Sequence, residues 1–228
     1  MAVLKPEINS WWFEVDESIP SLSEGNPAQV LEGFLICLWN CLSIFREGRR
    51  VFSSELIFSR RWIKVFGEDS KGFDKERVCV ELSGLFPAEI KARIMDILIS
   101  NQETSGYVIP GSIEVRGLFK PLGTDVLPAE IVLEFCYVGI RVIKIRAHGE
   151  EWLPFSLDGK KVNQFHKLYA EFLSDCLEEV EQELGVKPIY DDYTDFCQVV
   201  HYRLENLRDG CGDLLGVDEK GRALPASE

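Results

Sequence analysis

Between residues 27 and 47 the apolar side chains Val30, Leu31, Phe34, Leu35, Leu38, Cys41, Leu42 and Phe45 recur at helical spacing. Ile36, Trp39 and Ile44 make the opposite side apolar as well, which predicts a central helix. Asn26 is placed as its N-cap, Pro27 as its first residue, and Gly48 as its end. The period then changes. Residues 56–66 and 77–83 read as strands, the second alternating Val78, Val80 and Leu82 with Cys79 and Glu81, and residues 68–74 read as the turn between them.

A second helix is predicted over 87–100, burying Ile90, Ile94, Ile97 and Leu98. Three strand-like runs follow: 107–119, interrupted by Pro110-Gly111, then 131–138 and 140–147, which Gly139 divides into a hairpin or one bent strand. Ile143 and Ile145 alternate with Lys144 and Arg146, the pattern of a sheet with one wet face. The last third reads as two helices. One spans 160–184, with a stripe of Val162, Phe165, Tyr169, Phe172, Leu173, Cys176 and Val180 and a stop at Gly185; the other spans 192–207, burying Phe196, Val199, Val200, Leu204 and Leu207.

The order lacks regular strand-helix alternation. It predicts an α+β fold with a mainly antiparallel sheet packed by about four helices, two of them C-terminal. No Ser/Gly/Pro-rich linker divides the chain, so residues 1–215 are expected to form one domain and 216–228 a flexible C-terminal tail.

Charge sharpens this picture. The formal net charge is −13, and the acidity sits at the ends: residues 1–32 hold one basic and six acidic side chains, residues 148–228 eight and eighteen. Such a surface repels phosphate backbones and anionic lipid, which argues against direct nucleic-acid or membrane binding. The longest uncharged stretch, 33–45, is too short to span a bilayer. The seven cysteines are an odd number and the start lacks a secretory pattern, so reduced thiols and a cytoplasmic location are expected.

Catalytic motifs are sparse. Asp191-Asp192-Tyr193-Thr194-Asp195 is a D-D-x-x-D string that would suit a divalent cation on a helix face; its competing explanation is a helix cap with acids near the positive end of the dipole. Cys197 and His201, at i and i+4 on the expected helix, would make half a soft metal site with Cys211, but no paired ligand knuckle accompanies them. Cys136 with His148 is the one nucleophile-base pairing placed near a common sheet edge, and Cys37 and Cys41 belong to the core. No G-x-S-x-G, phosphate loop or H-E-x-x-H is present, so no catalytic residue, metal or cofactor is expected.

Two features fit a binding protein better. Trp11-Trp12-Phe13 sits among Glu7, Glu14, Asp16 and Glu17, aromatic surface in an acidic setting that selects basic partners; the alternative is an edge strand with Trp12 folded inward. Glu178, Glu179 and their neighbours, with Tyr190, Tyr193 and Tyr202, form the second feature. The expectation is an acidic protein-binding module that neutralises a basic partner, by compositional analogy an immunity protein inhibiting a toxin such as a nuclease. Trp11, Trp12, Glu178, Glu179, Asp191, Asp192, Tyr193 and Asp195 are the expected contacts. The alternatives are a small divalent-metal-dependent hydrolase or transferase and an adaptor subunit of a larger assembly. The basic segment Arg46, Arg49, Arg50, Arg60, Arg61 and Lys64 would serve an anionic ligand or pair with the acidic ends.

Overall fold

The alternation noted in the sequence builds a seven-stranded sheet. Its strands are β1 (Glu7–Glu14), β2 (Val51–Phe58), β5 (Cys79–Glu81), β7 (Ser112–Phe119), β8 (Ala129–Cys136), β9 (Val142–His148) and β10 (Tyr190–Asp191), in the order β10-β1-β9-β8-β7-β2-β5. Every pairing is antiparallel. Three further strands, β3 (Arg61–Phe66), β4 (Asp69–Asp74) and β6 (Tyr107–Pro110), form a separate sheet, and β11 (Cys197–Val200) pairs with β12 (Arg203–Asn206) as a hairpin. The computed structural model describes residues 5–15, 27–46, 51–58, 61–66, 69–74, 79–81, 89, 92, 96, 107–110, 112–119, 129–136, 141–191, 194–218 and 220–224.

One face of the large sheet is apolar. Ile113, Val115, Ile131, Leu133, Phe135, Ile143, Ile145, Trp11 and Phe13 are all buried there, as period-two alternation demands. Helices α1 (Pro27–Arg46) and α2 (His166–Leu184) cover it. Helix α1 contributes Cys41, Leu42 and Phe45; α2 contributes Tyr169, Phe172, Leu173, Cys176, Leu177 and Val180. Phe172 stacks on Phe119 with centroids 3.9 Å apart and meets Phe45 edge-on at 6.1 Å, joining sheet, α1 and α2 in one cluster. Trp152, in the 3₁₀ turn Glu150–Trp152, closes the cluster and donates its indole N–H to Glu130 O at 3.2 Å. Gly185 ends α2 in a left-handed cap whose N–H returns to Glu181 O.

Several expectations are corrected. Among the described residues two helices are defined in place of about four, while the antiparallel sheet stands. Where a C-terminal helix is expected over 192–207, residues 197–206 form the β11–β12 hairpin. Its β-branched residues and the alternation of buried Leu204 and Asn206 with Arg203 and Glu205 override a helical spacing carried by few residues. The strand expected over 56–66 falls on β2, which ends at Phe58, and on β3, which lies in a different sheet, and 69–74 are a strand rather than a turn. The helix expected over 160–184 begins at His166, because residues 155–162 fold into a bridged turn. Glu89, Ala92 and Asp96, within the helix expected over 87–100, have helical backbone; the rest of that segment lies outside the described residues. Apart from these corrections, Val217 and Ala223 form a bridge within the segment 216–228, and Val217 is buried. Among the described residues no helix is long and apolar enough to cross a membrane.

Candidate partner-binding site

Burying one stripe of α2 fixes what the other presents. Glu171, Asp175 and Glu178 stand four and three residues apart and are exposed, forming one acidic ridge. Lys167 pairs with Glu171 at 3.9 Å, an exposed contact worth at most a few tenths of a kcal/mol. Two other acids of the helix contact neighbouring elements. Glu181 accepts a hydrogen bond from the Tyr202 hydroxyl at 2.6 Å, and Glu183 accepts one from Asn40 at 2.7 Å. Glu179 is half-buried.

Beside the ridge lies a groove of about 550 Å³ between α2 and the β11–β12 hairpin. Glu178 and Glu205 line it with Arg203, His201, Gln198 and Val200. The hairpin turns on His201 and Tyr202, with φ of 50° and 64°. Two successive left-handed residues make a turn that matches strand twist but ordinarily takes Asn-Gly, because a side chain there costs about 1 kcal/mol or more. Two anchors hold the strained tip: Tyr202 donates to Glu181, and Ser174 Oγ donates to His201 O at 3.3 Å. A tip fixed from two sides presents Val200 and His201 to solvent in one arrangement, as a recognition element requires.

The base of the hairpin is fixed as well. Asn206 is buried; its Oδ1 accepts the Phe155 N–H at 2.9 Å, and its Nδ2 donates to Phe155 O at 3.2 Å and Ser156 O at 3.4 Å. Cys197, also buried, donates to Ile8 O at 3.5 Å. The groove is thus tied to both α2 and the large sheet.

The aromatic pair expected to bind together is split by strand alternation. Trp11 is 0% exposed in the core, so its side chain serves packing rather than a partner. Trp12 points to the other face, donates its Nε1–H to Ser10 Oγ at 3.1 Å and carries the Lys144 ammonium 3.9 Å from its ring centroid. The strand is interior, between β9 and β10, and it is Trp11 that folds inward. Trp12 adjoins a charge ladder in which Arg146 lies 3.4 Å from Glu134, 3.5 Å from Glu114 and 3.7 Å from Glu7. Since α2 packs on the apolar face, Trp12 and the acidic ridge are on opposite sides of the sheet, and one flat interface does not span them.

Asp191 lies in β10, paired with Trp11, and Asp195 is exposed. Asp192 and Tyr193 lie outside the described residues, as do the side chains of Arg46, Arg49, Arg50, Arg60, Arg61 and Lys64. With Asp191 in a strand, the helical face that would have aligned the D-D-x-x-D carboxylates does not form. Cys197 is buried in β11 while His201 is exposed at the turn, and among the described residues no three His, Cys, Asp or Glu side chains group to hold a metal ion. Cys136 pairs with Val142 and His148 with Glu130, at opposite ends of the β8–β9 ladder, roughly 20 Å apart at strand rise. Burial, with the Glu134 carboxylate, pushes the Cys136 thiol up to about 12. That pairing supports no nucleophile. Arg203 and Glu205 were missed as groove residues; their signal was the alternation with Leu204 and Asn206. No protein-family model matches the chain, and no curated protein is significantly similar to it.

Proposed function

We propose that the chain is an acidic protein-binding module that neutralises a basic partner, most concretely an immunity protein that inhibits a toxin such as a nuclease. The observation that carries this is the ridge Glu171, Asp175 and Glu178, continued by Glu205 in the groove beside a pinned hairpin tip. Solvent-facing carboxylates on a rigid helix steer a basic surface into encounter, and a preorganised groove offers shape without an ordering cost. The face differs from the one expected from sequence: Trp11 and Trp12 leave it, and Glu171, Asp175, Val200, His201 and Glu205 enter.

The test is affinity capture with the tagged chain from its native cell lysate, using as control a variant carrying Glu171→Lys, Asp175→Lys and Glu178→Lys. The proposal expects a stoichiometric basic protein retained by the wild type, released by high salt, absent from the control, and inhibited by an equimolar amount of the chain. Capture of nothing specific, or equal capture by the control, refutes it.

A further inference from the structure

Beyond the β11–β12 hairpin, two turns repeat the same bonds nine residues apart. In the first, Asp209 N donates to Asp213 O at 2.9 Å and Gly212 N to Asp209 O at 3.0 Å, while Asp209 Oδ1 accepts the N–H groups of Cys211 and Asp213 at 2.8 and 3.0 Å. In the second, Asp218 N donates to Arg222 O at 2.9 Å and Gly221 N to Asp218 O at 2.9 Å, while Asp218 Oδ1 accepts from Lys220 and Arg222 at 2.8 and 3.0 Å. Gly212 and Gly221 hold the same place and share a left-handed φ, +89° and +74°. A bridge closes each turn, Arg208–Leu214 and Val217–Ala223. Each unit therefore keeps its shape through its own bonds.

The surroundings of the two units differ. A Cβ at Gly212 would meet nothing within 4 Å, whereas one at Gly221 would lie 2.5 Å from Asp195 Cβ, two residues before β11 begins. At Gly216, which opens the second unit, a Cβ would lie 2.8 Å from Asp158 O. Both glycines thus admit an approach that a side chain would block. Val217, 3% exposed, donates its N–H to Leu157 O at 2.8 Å. The second unit therefore touches the 155–162 turn at one end and the entry to the hairpin at the other. These are the segments that Asn206 already joins through Phe155 and Ser156.

We propose that residues 216–224 are a strap, a preformed turn that docks and undocks as one body and, when docked, holds the hairpin and hence the groove between α2 and the hairpin in the observed shape. Its internal bonds survive undocking. Its attachments are the close approaches at Gly216 and Gly221, the Val217 N–H and the Val217 side chain, much less than holds a strand of the large sheet. A unit tied firmly inside and lightly outside opens at a free energy below that of the core, and the segment it pins loosens with it. This goes beyond the basic-partner reading, because the chain alone tests it.

Amide hydrogen exchange of the full chain is the test, with three variants that separate backbone strain from docking. Gly212→Ala puts a side chain at a left-handed φ in open space; Gly221→Ala adds the collision with Asp195; Gly216→Ala brings the collision with Asp158 without a left-handed φ. Gly221→Ala and Gly216→Ala should each speed exchange across the hairpin by about tenfold or more and leave β8 and β9 unchanged. Gly212→Ala should act on residues 208–214 alone. The wild type gives a measurement that needs no variant to fold: in urea below the unfolding transition, strap and hairpin amides should share one opening, easier than that of β8 and β9. Hairpin exchange unchanged in Gly221→Ala and Gly216→Ala, equal exposure of the hairpin by Gly212→Ala, or wild-type hairpin amides that open only with the sheet overturns the proposal.

Discussion

Replacing Asn206 with Ala removes the clamp that holds the β11–β12 hairpin to the turn at Phe155, and the structure sets its size. Three hydrogen bonds are lost, at 2.9, 3.2 and 3.4 Å, from a side chain 4% exposed. A hydrogen bond contributes about 1 kcal/mol net, and the longest of these less. The Phe155 N–H and O, losing their partner in a part-buried setting, add about 1 kcal/mol or more. The expected destabilisation is about 3 kcal/mol. For a chain of this length each kcal/mol lowers Tm by about 2–4 °C, so a fall of about 6–12 °C is expected. Urea denaturation followed by tryptophan fluorescence measures it, with the m-value testing that the denatured state is unchanged. Asn206→Asp discriminates further: it keeps an acceptor for Phe155 N–H but turns an acceptor toward two carbonyls, so it should be no more stable than the alanine variant. Asn40→Ala, which breaks an exposed contact to Glu183, serves as control and should cost under about 1 kcal/mol. A loss below about 1 kcal/mol for Asn206→Ala, with m unchanged, refutes the claim that this side chain ties the groove to the fold.

Three further outcomes are expected. His201→Asn should raise stability by about 0.5 kcal/mol or more in the same denaturation assay, because Asn adopts the left-handed region more easily; a decrease would show that the turn is not strained. Asp218 is held down to about 2 by the Arg222 guanidinium and by backbone N–H donors. Its support of the turn at Val217–Ala223 is therefore complete above the ordinary value of 3.8 and lost as pH falls through about 2; amide exchange or chemical shifts across 217–224 should open over that window and not above it. Thiol labelling of the native chain near pH 8 should modify Cys79 and Cys211, both exposed, and leave Cys41, Cys176 and Cys197 unreacted until denaturant is added; burial raises Cys41 and pushes Cys197 up to about 11.

What was legible in the sequence follows from the length of each pattern. Helix α1 was predicted over 27–47 and spans Pro27–Arg46; α2 was predicted to end at Gly185 and does, because a stripe sustained over five turns has no strand equivalent. Strand β9 was legible from Ile143 and Ile145 alternating with Lys144 and Arg146, but a hairpin and one bent strand both fitted Gly139, and the structure pairs β8 with β9. The C-terminal hairpin was not. Phe196, Val199, Val200 and Leu204 fit a helix as well as two short strands, and the turn is His201-Tyr202 rather than a glycine pair, so the usual punctuation is missing. Its geometry rests on Tyr202 reaching Glu181 and Asn206 reaching Phe155, contacts between residues 21 and 51 apart that no local window contains.

The candidate site was legible only in its charge. Glu178 was expected and is exposed on the ridge, but the opposed faces of Trp11 and Trp12 depend on where β1 enters the sheet. A Glu7/Asn9 register shift sets that phase: beyond it Asn9, Trp11 and Phe13 face the core and Ser10 and Trp12 face away.

The most direct measurement is the affinity of the captured basic partner for wild type and for the variant carrying Glu171→Gln, Asp175→Asn and Glu178→Gln, at about 50 and about 200 mM salt, where screening lengths differ about twofold. Tight wild-type binding at low salt that weakens steeply with salt, alongside weaker and flatter binding by the variant, is the predicted result. Equal affinities of the two proteins at low salt would contradict the assignment of the α2 ridge and its groove as the binding face.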